Sequence, residues 1–401
     1  MNKIFDIFDI QGDFTKTMNS SINKFILDDD YDTSKPVDFL NAADNFKTFS
    51  EGLTEFISNH GYSDSLTDVD KKASFLFNKL SEQAIKISKS TIKDWFLSVR
   101  RPNTDIRSRE NMYKICFSLN LSENETAKFF NNVYFDRYFN FRNINELIYY
   151  FCLKNNKSYN NALNLIEKVK RILETNETSE NNATIFTNNI AEQTQDFKDD
   201  EQLIQYITLN KYNFEKNNVS STKNLHKLIE EAKSFAQIES ESFILDTENM
   251  DKSSLDFMLY IIHGMNFTAI EKELNDYSFS KNANLLDIIR INYPSKSTLT
   301  NIINNKNISY DILRKAMILL KFYVFWLKAF KNKNIDNAVY KDATLVSVFI
   351  SETNDLLYDT GLSNLYSGNP FDWIFLYCST THSPLDVFRD LISQVYYQEE
   401  D

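Results

Sequence analysis

The pentapeptide Ser-Lys-Ser-Thr-Ile at residues 88–92 recurs as Ser-Lys-Ser-Thr-Leu at residues 295–299. An amphipathic segment follows each copy. The matching order continues to an aromatic segment that ends at Cys152 in one copy and at Cys378 in the other. Because several matches keep the same order along the chain, we predict a divergent internal duplication.

The spacing of apolar residues indicates helices rather than strands. Four of them lie at i, i+3, i+4 and i+7 from Ile144 to Phe151, which places them on one helix face. The 401 residues include only 6 Gly and 5 Pro. A sheet with many tight turns needs Gly, because Gly adopts positive φ freely. This composition favours helices joined by Asn- and Ser-rich connections.

Residues 73–121 fit a helix-turn-helix pattern. Ser88 interrupts an apolar helix and can cap a second one, because its hydroxyl can accept a backbone N–H of the first turn. In the second helix, Ile92, Trp95 and Phe96 would point inward. The polar residues at the N-terminal end of that helix would stay outside, where a recognition helix presents side chains to the major groove.

The same region resembles the helix-turn-helix of lambda-repressor-like (Xre-type) regulators. The resemblance rests on the polar segment 88–96, the basic, Pro-containing turn 100–103 and the amphipathic segment 110–121. It implies base-reading roles for a set of polar residues, and a basic pair follows where phosphate contacts would be useful. The base-reading set is Lys89, Ser90, Thr91 and Lys93, and the basic pair is Arg100 and Arg101.

The second copy is more divergent. The polar residues at its corresponding positions are Lys296, Ser297, Thr298, Thr300, Asn301 and Lys306. Neither copy has the Gly that commonly lies between the two helices of this motif. The longer pattern, which includes an Asp-Trp-Ile-Phe stretch at 372–375, is similar to uncharacterised proteins of bacterial mobile elements.

These patterns predict an all-α fold, a multi-helical array with two divergent helix-turn-helix-containing repeats. Composition and periodicity divide the chain into five segments. They are an acidic N-terminal helical cap (1–66), a first helix-turn-helix unit with a helical hairpin (67–175), a linker rich in Asn, Thr and acidic residues (176–200), a middle helical segment (201–280), and a second helix-turn-helix-like unit with a helical hairpin (281–401).

Charge is distributed unevenly along the chain. The net charge of −12 is unfavourable for nucleic-acid binding. However, residues 82–114 contain eight basic and four acidic residues, and residues 285–328 contain seven and two. Both segments coincide with the helix-turn-helix motifs. The residues outside these two segments therefore carry −21, a charge that would suit a basic protein partner.

No known catalytic or cofactor motif occurs in the sequence. Six Gly residues are too few and too dispersed for a phosphate-binding loop, and no GxGxxG is present. The four histidines lack neighbours at metal-ligand spacing. We therefore predict no catalytic residue, no metal site and no cofactor. One acidic cluster, Asp246 to Lys252, leaves a metal-dependent nuclease as a minor alternative.

Cysteine usage and hydropathy bear on the compartment. The three cysteines are far apart and odd in number, which fits a reducing environment. The N-terminus lacks a signal-peptide pattern, and the most apolar stretch, 316–330, contains Lys321 and Lys328, which argue against a membrane span. These features predict a cytoplasmic protein that does not bind membranes.

Three functions remain open from the sequence. The leading one is a non-enzymatic regulator that binds duplex DNA through tandem helix-turn-helix units. The second is a protein-interaction component or inhibitor in phage defence or counter-defence, in which the same units contact protein. The third is an enzyme of phage defence or DNA processing with a site in the acidic regions.

Overall fold

The computed structural model describes most of the chain between residues 34 and 394. The described residues are 34–42, 45–46, 48–98, 102, 106–175, 187–211, 214, 219–241, 250–266, 288, 293–306, 308–332 and 343–394. Within them the structure is 73% helical and has no strand. The predicted all-α, multi-helical class is confirmed.

Seventeen α-helices follow one another in this part of the chain. They are α1 (Ser34–Asn41), α2 (Phe49–Asn59), α3 (Val69–Glu82), α4 (Lys89–Phe96), α5 (Ile106–Ser118), α6 (Glu123–Phe129), α7 (Ile144–Lys154), α8 (Tyr159–Thr175), α9 (Thr187–Thr194), α10 (Asp200–Leu209), α11 (Val219–Ser240), α12 (Leu255–His263), α13 (Lys296–Ile303), α14 (Tyr310–Asn332), α15 (Ala343–Asp359), α16 (Pro370–Ser379) and α17 (Pro384–Ser393). A short π-helical turn, Phe130–Tyr134, follows α6 directly.

The chain forms two compact units. The first unit comprises residues 47–219 and 358–363, and the second comprises residues 1–46, 220–357 and 364–401. The first unit is therefore almost continuous in sequence, whereas the second is assembled from three separate segments. Among the described residues, no helix is long and apolar enough to cross a membrane.

The core of the first unit is rich in aromatic side chains. Tyr113 of α5 lies at its centre, with ring centroids 4.6 Å from Phe130 and 5.0 Å from Tyr149. Helix α2 closes one side of this core, and its Ser50 hydroxyl donates a hydrogen bond to the carbonyl of Phe96 at 2.8 Å. That contact ties α2 to the end of α4, the predicted recognition helix.

The second unit has its own aromatic core. Phe322 of α14 packs against Phe375 of α16 and Phe388 of α17, with centroid distances of 5.2 and 5.6 Å. Helix α1 also belongs to this unit, and its Phe39 stacks on Trp373 at 4.7 Å. Burial of these large rings is the main stabilising contribution in both units.

The helix ends explain how a Gly-poor chain can turn. Asn120, Asn156 and Asn305 have positive φ, and each follows the C-terminus of a helix. At Asn120, for example, the next N–H, that of Leu121, donates to the carbonyl of Cys116. Asn tolerates this left-handed conformation better than most residues, because its short polar side chain can hydrogen-bond locally.

Candidate nucleic-acid interface

Helices α3 and α4 are joined by a turn with a left-handed residue at its start. Ala84 has φ +57°, and its N–H and that of Ile85 donate to the carbonyls of Ser81 and Leu80. This is the Schellman arrangement that usually carries Gly. The sequence has no Gly between the helices, but the structure places Ala in the conformation that Gly favours.

Helix α4 presents an apolar face to the core and a polar face outward. Its N-cap is Ser88, whose hydroxyl accepts the N–H of Thr91, as expected from the sequence. Ile92, Trp95 and Phe96 are buried, which confirms the inward face predicted from their spacing. On the other side, the predicted base-reading residues Lys89 and Ser90 are exposed, and Thr91 and Lys93 are half-buried.

Two of the predicted base-reading hydroxyls already have partners within the helix cap. The Ser88 hydroxyl lies 3.0 Å from that of Ser90 and 2.7 Å from that of Thr91. Both hydroxyls therefore contribute to the cap of α4. Lys89 and Lys93 are left as the two side chains of the predicted set without a capping role.

Lys93 forms an ion pair with the preceding helix. Its Nζ lies 2.7 Å from Oδ1 of Asp70, the second residue of α3, and the two side chains keep 43% and 72% of their surface accessible to solvent. The hydrogen bond and charge of Lys93 lower the pKa of Asp70, and the nearby charge of Lys89 acts in the same direction. The carboxylate of Asp70 therefore bonds Lys93 and also experiences the charge of Lys89.

The second unit holds a similar helix pair, α12 and α13. The Ser295 hydroxyl caps α13 and lies 3.2 Å from the hydroxyls of Ser297 and Thr298, as Ser88 does in α4. Lys296 begins α13, as Lys89 begins α4. Lys296 pairs with Asp256, the second residue of α12.

The other predicted residues of the second copy are spread around and beyond α13. The Thr300 hydroxyl donates to the carbonyl of Lys296 within the helix. Asn301 is half-buried, and Lys306 is exposed beyond the helix end. In the first copy, Arg100 and Arg101 lie outside the described residues, so their phosphate contacts stay a prediction.

A buried ionic cluster in the first unit has no counterpart in the sequence-based prediction. Arg109 of α5 donates to Glu146 of α7 at 2.8 Å and also pairs with Asp136. It further donates to the carbonyl of Tyr138 at 2.8 Å, and the Tyr113 hydroxyl lies 2.8 Å from Glu146. All four ionisable side chains are buried.

The second unit contains a corresponding buried Arg–acid pair. Arg314 of α14 pairs with Asp372 of α16 and donates to the carbonyl of Asn364 at 2.8 Å. Asp372 and Glu146 are each the third residue of their helix, after an Asn N-cap. In both units, the carbonyl that accepts from the arginine belongs to the residue eight positions before the acid. The acid itself accepts a hydrogen bond from the backbone N–H of the residue six positions before it.

Opposing effects set the protonation of the first cluster. Burial alone would raise the pKa of Glu146, but the Arg109 guanidinium, with Arg137 and the Asn140 N–H, holds it below its usual value. Burial, together with the Glu146 charge, raises the pKa of Tyr113 well above its usual value. Glu146 is therefore ionised and Tyr113 neutral at physiological pH. Structural ion-pair networks also perturb pKa values, and this one joins α5 to α7.

The sequence did contain a pattern that marks these clusters. Arg109 lies on the buried stripe of α5, four residues before Tyr113 and seven before Cys116. An acid three residues after a capping Asn occurs in both copies, at 143–146 and 369–372. Both copies have an arginine within an apolar helix stripe and an acid after a capping Asn. This repeated pattern would have indicated a buried ion pair.

The isolated histidine of α12 has a structural role. His263 is buried, with Nδ1 at 2.7 Å from the carbonyl of Leu259 and Nε2 at 2.7 Å from the Tyr293 hydroxyl. Burial lowers its pKa to about 4, so it is neutral. In the part of the chain that the structure describes, no group of three or more His, Cys, Asp or Glu side chains could hold a metal ion.

Comparison with known proteins gives no match at any level: no family model matches the sequence, no curated protein matches it, and no solved structure matches the fold.

Proposed function

We propose that this protein is a regulator that binds duplex DNA, with α4 of the first unit as its principal recognition helix. The observation that supports it best is the division of α4 into two faces. Its apolar residues are buried, while Lys89, Ser90 and Lys93 lie on its outer side. A helix that is packed in this way can enter the major groove without disturbing the core.

The chemistry of this face suits DNA. Lys89 and Lys93 are four residues apart and therefore share one side of the helix. A lysine can donate to the guanine acceptors O6 and N7 or to a phosphate oxygen. Arg100 and Arg101 follow four and five residues after Phe96 in the sequence and carry two more positive charges.

We further propose that the two units descend from one duplicated helix-turn-helix unit. The repeated Ser cap, the Lys that begins the helix and the corresponding buried Arg–acid pair support this. Thr300 stands where the first copy has Lys93, so the second recognition face is less basic. The first unit therefore contributes most of the affinity.

Fluorescence anisotropy with duplex DNA at low salt tests the proposal. The probes are the protein's own promoter region and a scrambled duplex of equal length. Lys89→Ala should weaken binding to the promoter by roughly 1–3 kcal/mol and reduce discrimination between the probes. Replacing Arg100 and Arg101 with Ala should weaken binding to both and lower the salt slope by about 1.8, because each phosphate contact contributes about 0.9.

Lys168→Ala is the matched control. Lys168 is also an exposed lysine of the first unit, paired with Glu201, but it lies on α8. This variant should bind both probes as the wild type does. Equal losses for Lys89→Ala and Lys168→Ala would exclude α4 as a recognition helix.

A second candidate function is binding to a basic protein partner. Lys93 and Lys296 are already paired with carboxylates of the preceding helices, and the chain carries −12 overall. Both features suit a positively charged protein better than a phosphate backbone. This function replaces the first if a photo-crosslinker at Ser90 labels a basic protein and the wild type binds no duplex. Either function fits a cytoplasmic location, in keeping with three free cysteines.

A further inference from the structure

Each helix-turn-helix motif contains an ion pair between its two helices. The acid occupies the same helix position in both motifs, but the lysine does not. Asp70 and Asp256 are each the second residue of the helix that precedes the recognition helix. Their partners differ in position: Lys93 is the fifth residue of α4, whereas Lys296 is the first residue of α13. In each motif the acid at this position pairs with one lysine of the recognition helix.

Helix capping does not account for these carboxylates. The N-cap of α3 is Asp68, whose side chain accepts the N–H of Lys71, and the N-cap of α12 is Ser254, which accepts the N–H of Phe257. The N–H of the third residue of each helix therefore already has another side chain as its acceptor. Asp70 and Asp256 instead extend to the next helix.

We propose that Asp70 and Asp256 are internal competitors of the DNA phosphate that set the affinity of the two recognition helices. This inference rests on the proposed DNA-binding function. A phosphate that binds Lys93 competes with Asp70 for the same ammonium group, and the two negative charges then lie close together. Since the Lys93–Asp70 pair is solvent-exposed, it contributes little to stability, and the lysine can exchange partners.

The carboxylate also changes the salt dependence of binding. A free lysine that neutralises a phosphate releases a counterion, and each such contact adds about 0.9 to the salt slope. A lysine already paired with Asp gives no such net release, because one negative partner replaces another. If two variants bind equally at 1 M salt, a difference of about 0.9 in slope makes their affinities differ about eightfold at 0.1 M salt.

Amide substitutions test this inference. Asp70→Asn keeps the shape of the side chain and removes its charge. It should tighten duplex binding about eightfold at 0.1 M salt and steepen the salt slope by about 0.9. Asp256→Asn should also tighten duplex binding, and the variant with both substitutions should bind most tightly. Adding Lys93→Ala to Asp70→Asn should cancel the gain.

Glu201→Gln and Glu352→Gln are the matched controls. Each removes one negative charge from an ion pair with a lysine, Lys168 in the first unit and Lys321 in the second, outside the helix-turn-helix motifs. They should change affinity less than twofold.

The outcomes separate the inference from the proposed function. If the wild type binds DNA and Lys89→Ala weakens it, but the Asp variants match the controls, the inference is wrong and the function stands. If only the double Asp variant binds, both are supported, and the carboxylates mask the interface. If neither the wild type nor the double variant binds, both proposals fail.

Discussion

At the residue scale, the most constrained side chains are the buried arginines. Taking a guanidinium out of water costs several kcal/mol unless carboxylates and carbonyls replace the lost hydration. Arg109 has Glu146, Asp136 and two backbone carbonyls as acceptors. Removing one carboxylate therefore leaves a buried charge with too few partners.

We predict that Glu146→Gln destabilises the protein by about 3 kcal/mol, at the lower end of the range for a broken buried pair because Asp136 still balances the Arg109 charge. Urea unfolding followed by circular dichroism measures the loss. Glu167→Gln removes an acid from an exposed pair with Arg171 and should leave the unfolding midpoint unchanged.

The same substitution should also alter the pH dependence of stability. The pKa of Glu146 is lower in the folded protein than its usual value of about 4.3. The stabilisation that ionised Glu146 gives the folded protein is therefore present above about pH 4.3. It is lost as the pH falls through the pKa of Glu146 in the folded protein. Below pH 4 the wild type should lose stability more steeply than Glu146→Gln. Parallel pH profiles would contradict this assignment of the charge.

At the element scale, local patterns in the sequence predicted local structure well. The Ser88 cap and the buried face of α4 follow from residues within one or two helical turns. The ion pairs could not be predicted in the same way. Asp70 and Lys93 are 23 residues apart, and Arg109 and Glu146 are 37 apart, so only the packing of whole helices brings them together.

Another feature outside the reach of local patterns is the contact between α2 and the π-helical turn. A Cβ atom at Gly52 would lie only 2.8 Å from a Cγ atom of Val133. Gly therefore allows the close approach of these two elements. In most helices Gly→Ala is stabilising, because Gly is the more flexible residue in the unfolded chain.

We predict that Gly52→Ala instead costs about 1–3 kcal/mol, because the added methyl group overpacks the contact. Val133→Ala removes both Cγ atoms, so Gly52→Ala should cost less in that background. A double-mutant cycle by urea unfolding measures the coupling. Equal costs of Gly52→Ala in the two backgrounds would show that Val133 does not limit the approach.

At the scale of the whole molecule, the sequence predicted the helical class but not the assembly of the second unit. Composition marked residues 1–66 as one acidic segment, whereas in the described part of that segment α1 belongs to the second unit and α2 to the first. The stacking of Phe39 on Trp373 is one contact within that grouping. An acidic composition bears on solubility and on the charge of binding partners. It does not indicate in which hydrophobic core an aromatic residue such as Phe39 is buried.

The three cysteines provide a probe of both units. Cys116 and Cys152 are buried in the first unit, and Cys378 is buried in the second. Burial, with a smaller effect of Asp200, raises the pKa of Cys152 to about 12, and burial also raises the pKa of Cys116 and Cys378. The thiolate is the reactive form, so burial and a raised pKa both oppose reaction.

We predict that Ellman's reagent modifies none of the three thiols in the native protein and all three in guanidinium chloride. At intermediate denaturant, modification requires opening of the surrounding helices, so its rate reports local unfolding. Mass spectrometry of the labelled peptides then identifies which unit opens first. Glu146→Gln weakens the contact between α5 and α7, which carry Cys116 and Cys152, so these two thiols should be labelled faster in that variant. Rapid labelling of any thiol in the native wild type would contradict the burial described for that cysteine.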